Sequence, residues 1–122
     1  MDEKTTLLLK RTKQFTLRVI KLSRSLPRNA EGFVLGKQLL RSGTSIGANY
    51  RAACNSRSKA EFIAKMSVVV EEADETVYWI ELLIEAETIK PALLKPLLQE
   101  SIELARIFSA SRRTAKNGSA LK

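Results

Sequence analysis

Hydrophobic residues recur at intervals of three to four along most of this chain, the spacing that places side chains on one face of an α-helix. Four segments keep this spacing, and we predict helices over residues 5–25, 31–55, 58–87 and 93–114. No segment shows the alternation with period two that marks a β-strand. The connections are short, so the pattern predicts a single all-α domain, an antiparallel up-down-up-down four-helix bundle.

Local signals mark the ends of these segments. The residue before Pro27 is pushed out of the α region, which ends the first helix. Ser58 begins the sequence Ser-Lys-Ala-Glu, which has the form of a capping box and predicts the start of the third helix. Pro96 is tolerated only near a helix start, so the fourth helix is expected to begin close to it. Residues 116–122 contain Asn-Gly and no apolar periodicity, and we expect this tail to be frayed.

The second segment keeps helical spacing although it is rich in poor helix formers. Two glycines, Thr, Ser and Asn fall within residues 43–49, and a glycine inside a helix costs about 0.5–1 kcal/mol relative to Ala. Its predicted inward stripe is Leu39, Gly43, Ile46, Tyr50 and Ala53. A helix this weak requires close packing on several sides, so we place it at the centre of the bundle.

A polar edge follows the same helix, made of Gln38, Ser42, Ser45 and Asn49. We interpret this edge as a source of interhelical hydrogen bonds, because the neighbouring glycines allow the backbones to approach closely. The alternative interpretation is an edge that contacts a ligand or RNA.

The third segment is apolar on two sides. Its predicted core stripe is Phe62, Met66, Val69, Ala73, Val77, Ile80 and Ile84. Apolar residues also project from the opposite side, where carboxylates lie among them. A helix that is apolar on two sides is usually buried on two sides, and an outward Trp often anchors an interface. We therefore predict a homo-oligomer, with large residues lying flat on the surface as the alternative. The predicted interface is Glu61, Val68, Glu72, Glu75, Trp79 and Leu82.

The charge is concentrated in one half of the chain. The net charge is +8, and residues 1–58 contain twelve basic and three acidic residues. A basic half indicates an anionic partner such as nucleic acid. The alternatives are a solvated surface or salt bridges to the acidic third helix of a neighbouring chain. The candidate phosphate-binding residues are Lys10, Lys13, Lys21, Arg24, Lys37, Arg41, Arg51, Arg57 and Lys59.

Several kinds of site lack their usual residues. The chain has no His, which removes the triads and the general base that most hydrolases use, and the Glu-x-x-His pairs of carboxylate-bridged metal sites. The glycines do not have the spacing of a phosphate-binding loop. Cys54 is the single cysteine and is interpreted as a small buried hydrophobe. We therefore expect no enzymatic activity, no cofactor and no metal.

The location is expected to be the cytoplasm. The apolar run near the N-terminus stops after three residues, which indicates neither a signal peptide nor a membrane span. A single cysteine also gives no sign of a secreted disulfide framework.

Residues 38–49, QLLRSGTSIGAN, resemble the Q-L-x-R-S-x-x-S-I-x-x-N signature of the four-helix bundle proteins named after the 23S rRNA intervening sequence. Residues 57–62, RSKAEF, resemble the basic-Ser-x-x-Glu-Phe element of that family. Residues 71–75 with Tyr78 and Trp79 look like one branch of it, and Pro27 sits where the family places its turn. The resemblance covers about residues 11–116.

This resemblance implies an all-helical bundle that assembles as a ring, typically a homopentamer. It also implies kinship with the accessory variability protein of diversity-generating retroelements, a basic pentamer that binds reverse transcriptase and nucleic acid. Many members continue the signature with I-A-E-G, whereas this chain has Tyr50-Arg51-Ala52-Ala53. The leading hypothesis is an oligomer that binds RNA or DNA without sequence preference. The alternative is a protein-binding scaffold with no direct contact to nucleic acid.

Overall fold

The computed structural model describes residues 1–120, with side chains through Gly118, and contains four α-helices. They are α1 (Glu3–Arg24), α2 (Ala30–Cys54), α3 (Lys59–Glu85) and α4 (Pro91–Ala120). Each helix packs against the next in sequence, and α1 also packs against α4, which closes the bundle. The predicted all-α four-helix bundle is confirmed. None of the helices in this described part of the chain has the length and apolar character needed to cross a membrane.

The contacts between α1 and α2 show that these helices run antiparallel. Leu26, just beyond the end of α1, lies beside Gly36 in the first half of α2. Thr16, in the middle of α1, lies beside Gly47 in the second half of α2. Residue numbers therefore fall along one helix as they rise along the other.

Contacts show that α2 and α3, and α3 and α4, also run antiparallel. The connection between α2 and α3 has four residues and spans at most about 14 Å. The hydroxyl of Ser42, which lies about 18 Å before the end of α2, is 2.9 Å from that of Thr76 in α3. This contact requires α3 to run back along α2. Gly118 near the end of α4 lies close to the Lys59 ammonium at the start of α3, so α4 also runs back along α3.

Side-chain caps begin the first three helices. The carboxylate of Asp2 accepts the Thr5 N–H at 2.7 Å, and this bond lowers the pKa of Asp2. The side chain of Asn29 accepts the Gly32 N–H at 2.8 Å. The predicted cap at Ser58 is also present, because its hydroxyl accepts the N–H of the third residue of α3 at 3.1 Å. Each of these bonds satisfies a backbone donor that has no partner within its helix.

Helix α4 is longer than predicted at both ends. It begins with Pro91, because a proline in the first position lacks only an N–H that a helix would leave unpaired. It continues through residues 116–120, where a frayed tail was predicted, while residues 121–122 lie outside the described residues. The tail prediction relied on Asn-Gly and on missing apolar periodicity. Extension of an existing helix has no nucleation cost, so α4 continues through Asn117 and Gly118 although both are weak helix formers.

The core follows the predicted stripes closely, with one shift. All five predicted inward residues of α2 are buried. In α3 the buried side is rotated, since Thr76 and Leu83 are fully buried while Val77 and Ile84 are only half-buried. Helix α3 packs extensively against both α2 and α4, and the direction between these two neighbours decides which residues are covered.

Close packing explains the weak residues of α2, as predicted. A Cβ at Gly43 would lie 2.8 Å from Cγ1 of Val19, so only glycine allows α1 this near. Ser42 on the polar edge bonds to Thr76 of α3 inside the core, which confirms the interhelical interpretation for this residue. Asn49 instead bonds within α2, to the backbone oxygen and hydroxyl of Ser45.

Candidate nucleic-acid interface

A groove of about 560 Å³ runs along the outer side of the α1–α2 pair. Antiparallel packing brings the first half of α1 beside the second half of α2. Small residues in α2, including Gly47 and Ala48, keep the floor of the groove low. A Cβ at Gly47 would lie 3.2 Å from the hydroxyl of Thr16, so the two helices are nearly in contact beneath the groove.

The floor of this groove is mainly apolar although it contains threonines. The hydroxyl of Thr16 donates to the carbonyl of Thr12 at 3.0 Å. The hydroxyl of Thr44 donates to a carbonyl of its own helix at 3.1 Å. These donors are occupied, which leaves methyl groups and the backbone as the main floor surface.

Basic residues line both sides of the groove. Lys10 and Lys13 come from α1 and Arg51 comes from α2, and all three are exposed. Among the side chains that the structure describes, none of these three nitrogen groups lies within 4.0 Å of a carboxylate. Three free cations along one groove create a positive potential that phosphates would neutralise.

The remaining predicted basic residues are exposed but lie outside this groove. Lys21 and Arg24 continue along α1 toward its C-terminal end, and Lys37 lies in the first half of α2. Arg57 and Lys59 lie at the turn between α2 and α3. The bundle therefore brings three of the nine predicted residues to one site and distributes the others.

Arg41 differs from the other predicted basic residues because it forms ion pairs within the chain. Its guanidinium bonds to Glu75 and lies 3.4 Å from Glu72, both on α3. Its Nε also donates to Gln38 at 3.1 Å. The acidic residues of α3 that we considered as partners from a neighbouring chain thus bind Arg41 of the same chain, so Arg41 contributes less free charge than the groove cations.

The predicted oligomer interface is only partly exposed in the single chain. Trp79 is half-buried, packs against the core and donates its indole N–H to Glu75 at 3.1 Å. Val68 is 39% exposed, whereas Glu61 and Leu82 are half-buried.

The most exposed aromatic residue of α3 is Tyr78, which is not among the predicted interface residues. It is 54% exposed, and its ring meets the edge of Trp79 with centroids 5.0 Å apart. The helical spacing from Val68 through Tyr78 could have identified it.

Arg11 forms an ion pair that sequence reasoning also missed. Its guanidinium donates two hydrogen bonds to Glu100 of α4, at 2.7 and 2.8 Å, and lies 3.1 Å from Glu103. These bonds hold the pKa of Glu100 below its usual value. The partners are 89 residues apart, and nothing in the sequence pairs them.

Cys54 does not have the features of a nucleophile. It is half-buried at the end of α2, and burial raises the pKa of its thiol. The thiolate is the reactive form, so a raised pKa makes this cysteine less reactive than an exposed one.

Comparison with known proteins agrees with the fold. Residues 4–110 match the family described as 23S rRNA-intervening sequence protein. A crystal structure of a protein of unknown function from the S23 ribosomal protein family of Bacteroides thetaiotaomicron VPI-5482 is similar to this chain, with a TM-score of 0.83 and 37% identity. That match covers 91% of this chain and 99% of the other. No curated protein matches the chain. Because the family match includes most of all four helices, the chain belongs to the 23S rRNA-intervening sequence protein family.

Proposed function

We propose that this protein is a non-enzymatic oligomer that binds RNA or DNA through phosphate contacts in the α1–α2 groove. The observation that carries this proposal is the placement of Lys10, Lys13 and Arg51 along one groove, each exposed and free of carboxylate partners among the described side chains. Displacement of counterions from the phosphates would drive binding at such a site.

The chemistry of the groove favours binding without sequence preference. Reading of bases requires donors and acceptors aimed at base edges, or aromatic rings for stacking. The lining of the groove contains no aromatic residue, and the hydroxyls of Thr16 and Thr44 donate to their own helices. Phosphate contacts remain as the main source of affinity, and they are the same for every sequence.

A charge-reversal experiment tests the proposal directly. Binding of labelled single- and double-stranded RNA and DNA is measured by fluorescence anisotropy over a range of salt concentrations. For the wild-type protein we expect the affinity to fall steeply with salt, with a logarithmic slope of about 0.7–0.9 per phosphate contacted. The double variant Lys13→Glu/Arg51→Glu should bind roughly tenfold more weakly or worse at low salt, with a slope reduced by about 2.

A matched variant controls for net charge. Lys95→Glu/Arg106→Glu makes the same change in charge at exposed positions of α4, away from the groove. It should keep most of the affinity and the salt slope. Equal losses in the two double variants would show that net charge, and not the groove, governs binding. If the wild-type protein does not bind at low salt, the proposal is overturned and the protein-binding scaffold becomes the leading hypothesis.

A further inference from the structure

We infer that copies of this chain assemble through contacts between two different surfaces. The acidic outer side of α3 in one copy packs against the apolar and basic part of the α1–α2 surface that lies beyond the groove in the next copy. This inference rests on the oligomeric part of the proposed function and adds the two surfaces that meet. It is independent of nucleic-acid binding in the groove.

The first surface, here called the basic face, combines exposed apolar side chains with cations. Leu17 is 58% exposed, Phe33 is 64% exposed and Leu40 is 38% exposed. Arg24 and Lys37 are exposed beside them and have no carboxylate partner among the described side chains. Large apolar residues grouped in this way often mark an interaction surface.

Helical spacing shows that these residues share one side of the bundle. Leu17 lies four and seven residues beyond Lys13 and Lys10, which line the α1 side of the groove. Leu40 lies four residues before Thr44, which lines the α2 side. Residues three, four and seven apart lie on one helix face, so the basic face continues the groove toward the other end of the helix pair.

The second surface, here called the acidic face, is the outward stripe of α3. It consists of Val68, Glu71, Asp74, Tyr78 and Glu81, all of them exposed. The three carboxylates form no ion pair with any described side chain. Tyr78, at 54% exposure, offers an aromatic ring and a hydroxyl, a combination that is enriched at interfaces.

The charges decide how two copies can meet. Contact between two acidic faces, or between two basic faces, would bring like charges together and cost free energy. Contact between a basic and an acidic face pairs cations with carboxylates and covers the apolar residues of both. A contact between two different faces is heterologous, and repetition of it produces a closed ring or a filament.

The two faces also lie at the same height along the bundle. Ser42 contacts Thr76, and α2 and α3 are antiparallel, so Leu40 is about level with Tyr78. A rotation about an axis parallel to the bundle therefore brings one face onto the other without sliding the copies along that axis. In this assembly Arg24 and Lys37 pair with carboxylates of the neighbouring copy, and the cations of the groove remain available for phosphates.

Compensating charge reversals test this arrangement by light scattering coupled to size-exclusion chromatography. Arg24→Glu/Lys37→Glu reverses the basic face, and Asp74→Lys/Glu81→Lys reverses the acidic face. Each double variant should elute as a monomer of 13.6 kDa under conditions where the wild-type protein is an oligomer. The quadruple variant, which carries all four changes, should regain the oligomer because the two faces are complementary again.

The controls separate this inference from the proposed function. Lys95→Glu/Arg106→Glu should remain oligomeric, and circular dichroism should show that all variants keep their helices. If the wild-type protein is an oligomer but both double variants keep its mass, or if the quadruple variant is monomeric, the choice of faces is wrong and oligomerisation stands. A wild-type monomer overturns this inference together with the oligomeric part of the proposed function. Loss of nucleic-acid binding alone overturns the nucleic-acid part of the proposed function and leaves this inference standing.

Discussion

Single contacts explain why α2 contains residues that a helix does not favour. Gly43 lies against the γ-methyl groups of Val19, and a Cβ there would be 2.8 and 3.1 Å from them. Both residues are buried, and a β-branched side chain on α1 has little freedom to move aside. The cost of glycine in α2 is thus offset by the close approach of α1.

A double-mutant cycle measures this contact. Gly43→Ala should destabilise the protein by roughly 1–2 kcal/mol, because the overpacking cost exceeds the gain in helix propensity. Val19→Ala alone should cost roughly 2 kcal/mol, as buried methyl groups are lost. In the Val19→Ala background, Gly43→Ala should no longer destabilise. Chemical denaturation gives these values, with Gly118→Ala as a control because a Cβ there would meet nothing closer than 3.7 Å. If the costs of the two substitutions are additive, the methyl group added by Gly43→Ala does not clash with Val19.

Among the helices, α4 contains two prolines whose positions have opposite effects on the stability of the helix. Pro91 is the first residue of the helix, where its fixed φ suits the helix and its missing N–H costs nothing. Pro96 lies inside the helix, where an N–H would have bonded to the carbonyl of Ala92. Both are exposed, so packing in the core does not obscure the comparison.

The same substitution at these prolines should therefore change stability in opposite directions. Pro96→Ala should stabilise the protein by roughly 1–2 kcal/mol, since the restored hydrogen bond outweighs the greater entropy of the unfolded chain. Pro91→Ala should destabilise it by roughly 0.5–1 kcal/mol, through the unfolded-state effect alone. Thermal unfolding followed by circular dichroism distinguishes the two. A loss of stability in Pro96→Ala would indicate that α4 is held in a shape that needs the proline.

At the scale of the whole molecule, the bundle is closed along its least extensive contact, between α1 and α4. A groove lined by Leu8 and Ile107 separates parts of these helices. Arg11 and Glu100 bridge them through two hydrogen bonds. A bidentate pair of this kind fixes the relative position of two helices better than a single exposed ion pair does.

The pH dependence of stability should report this pair. The pKa of Glu100 is lowered in the folded state, so its contribution is present above the unfolded pKa, near 4.3. It is lost as the pH falls through the folded pKa. Glu100→Gln should cost about 1 kcal/mol at pH 7 and clearly less at pH 3. Denaturation of both proteins at the two pH values measures this difference. Glu103→Gln is the control and should have a smaller effect, because its side chain is 61% exposed. A cost for Glu100→Gln that does not change with pH would indicate lost packing instead.

Fold and candidate site were predictable to different degrees. The spacing of Leu39, Ile46 and Tyr50 predicted a buried stripe, and all three are buried, because that spacing is a property of the helix itself. The basic residues of the groove were also in the predicted set. Their grouping was not predicted, because it depends on how α1 and α2 align. Arg41 is among the predicted phosphate-binding residues, and its pairing with Glu75 on another helix of the same chain cannot be read from either segment.

The amino-acid sequence already defines the four helices, the inward side of α2 and the excess of charge in the first half, because each depends on neighbours within a few turns. The packing of the helices against one another decides which cations remain free, which side of α3 is buried and how α1 is joined to α4. These features depend on the register and rotation of packed helices. The contacts of Gly43 with Val19 and of Ser42 with Thr76 are part of this packing, which places each side chain in the core, in an ion pair or on the surface.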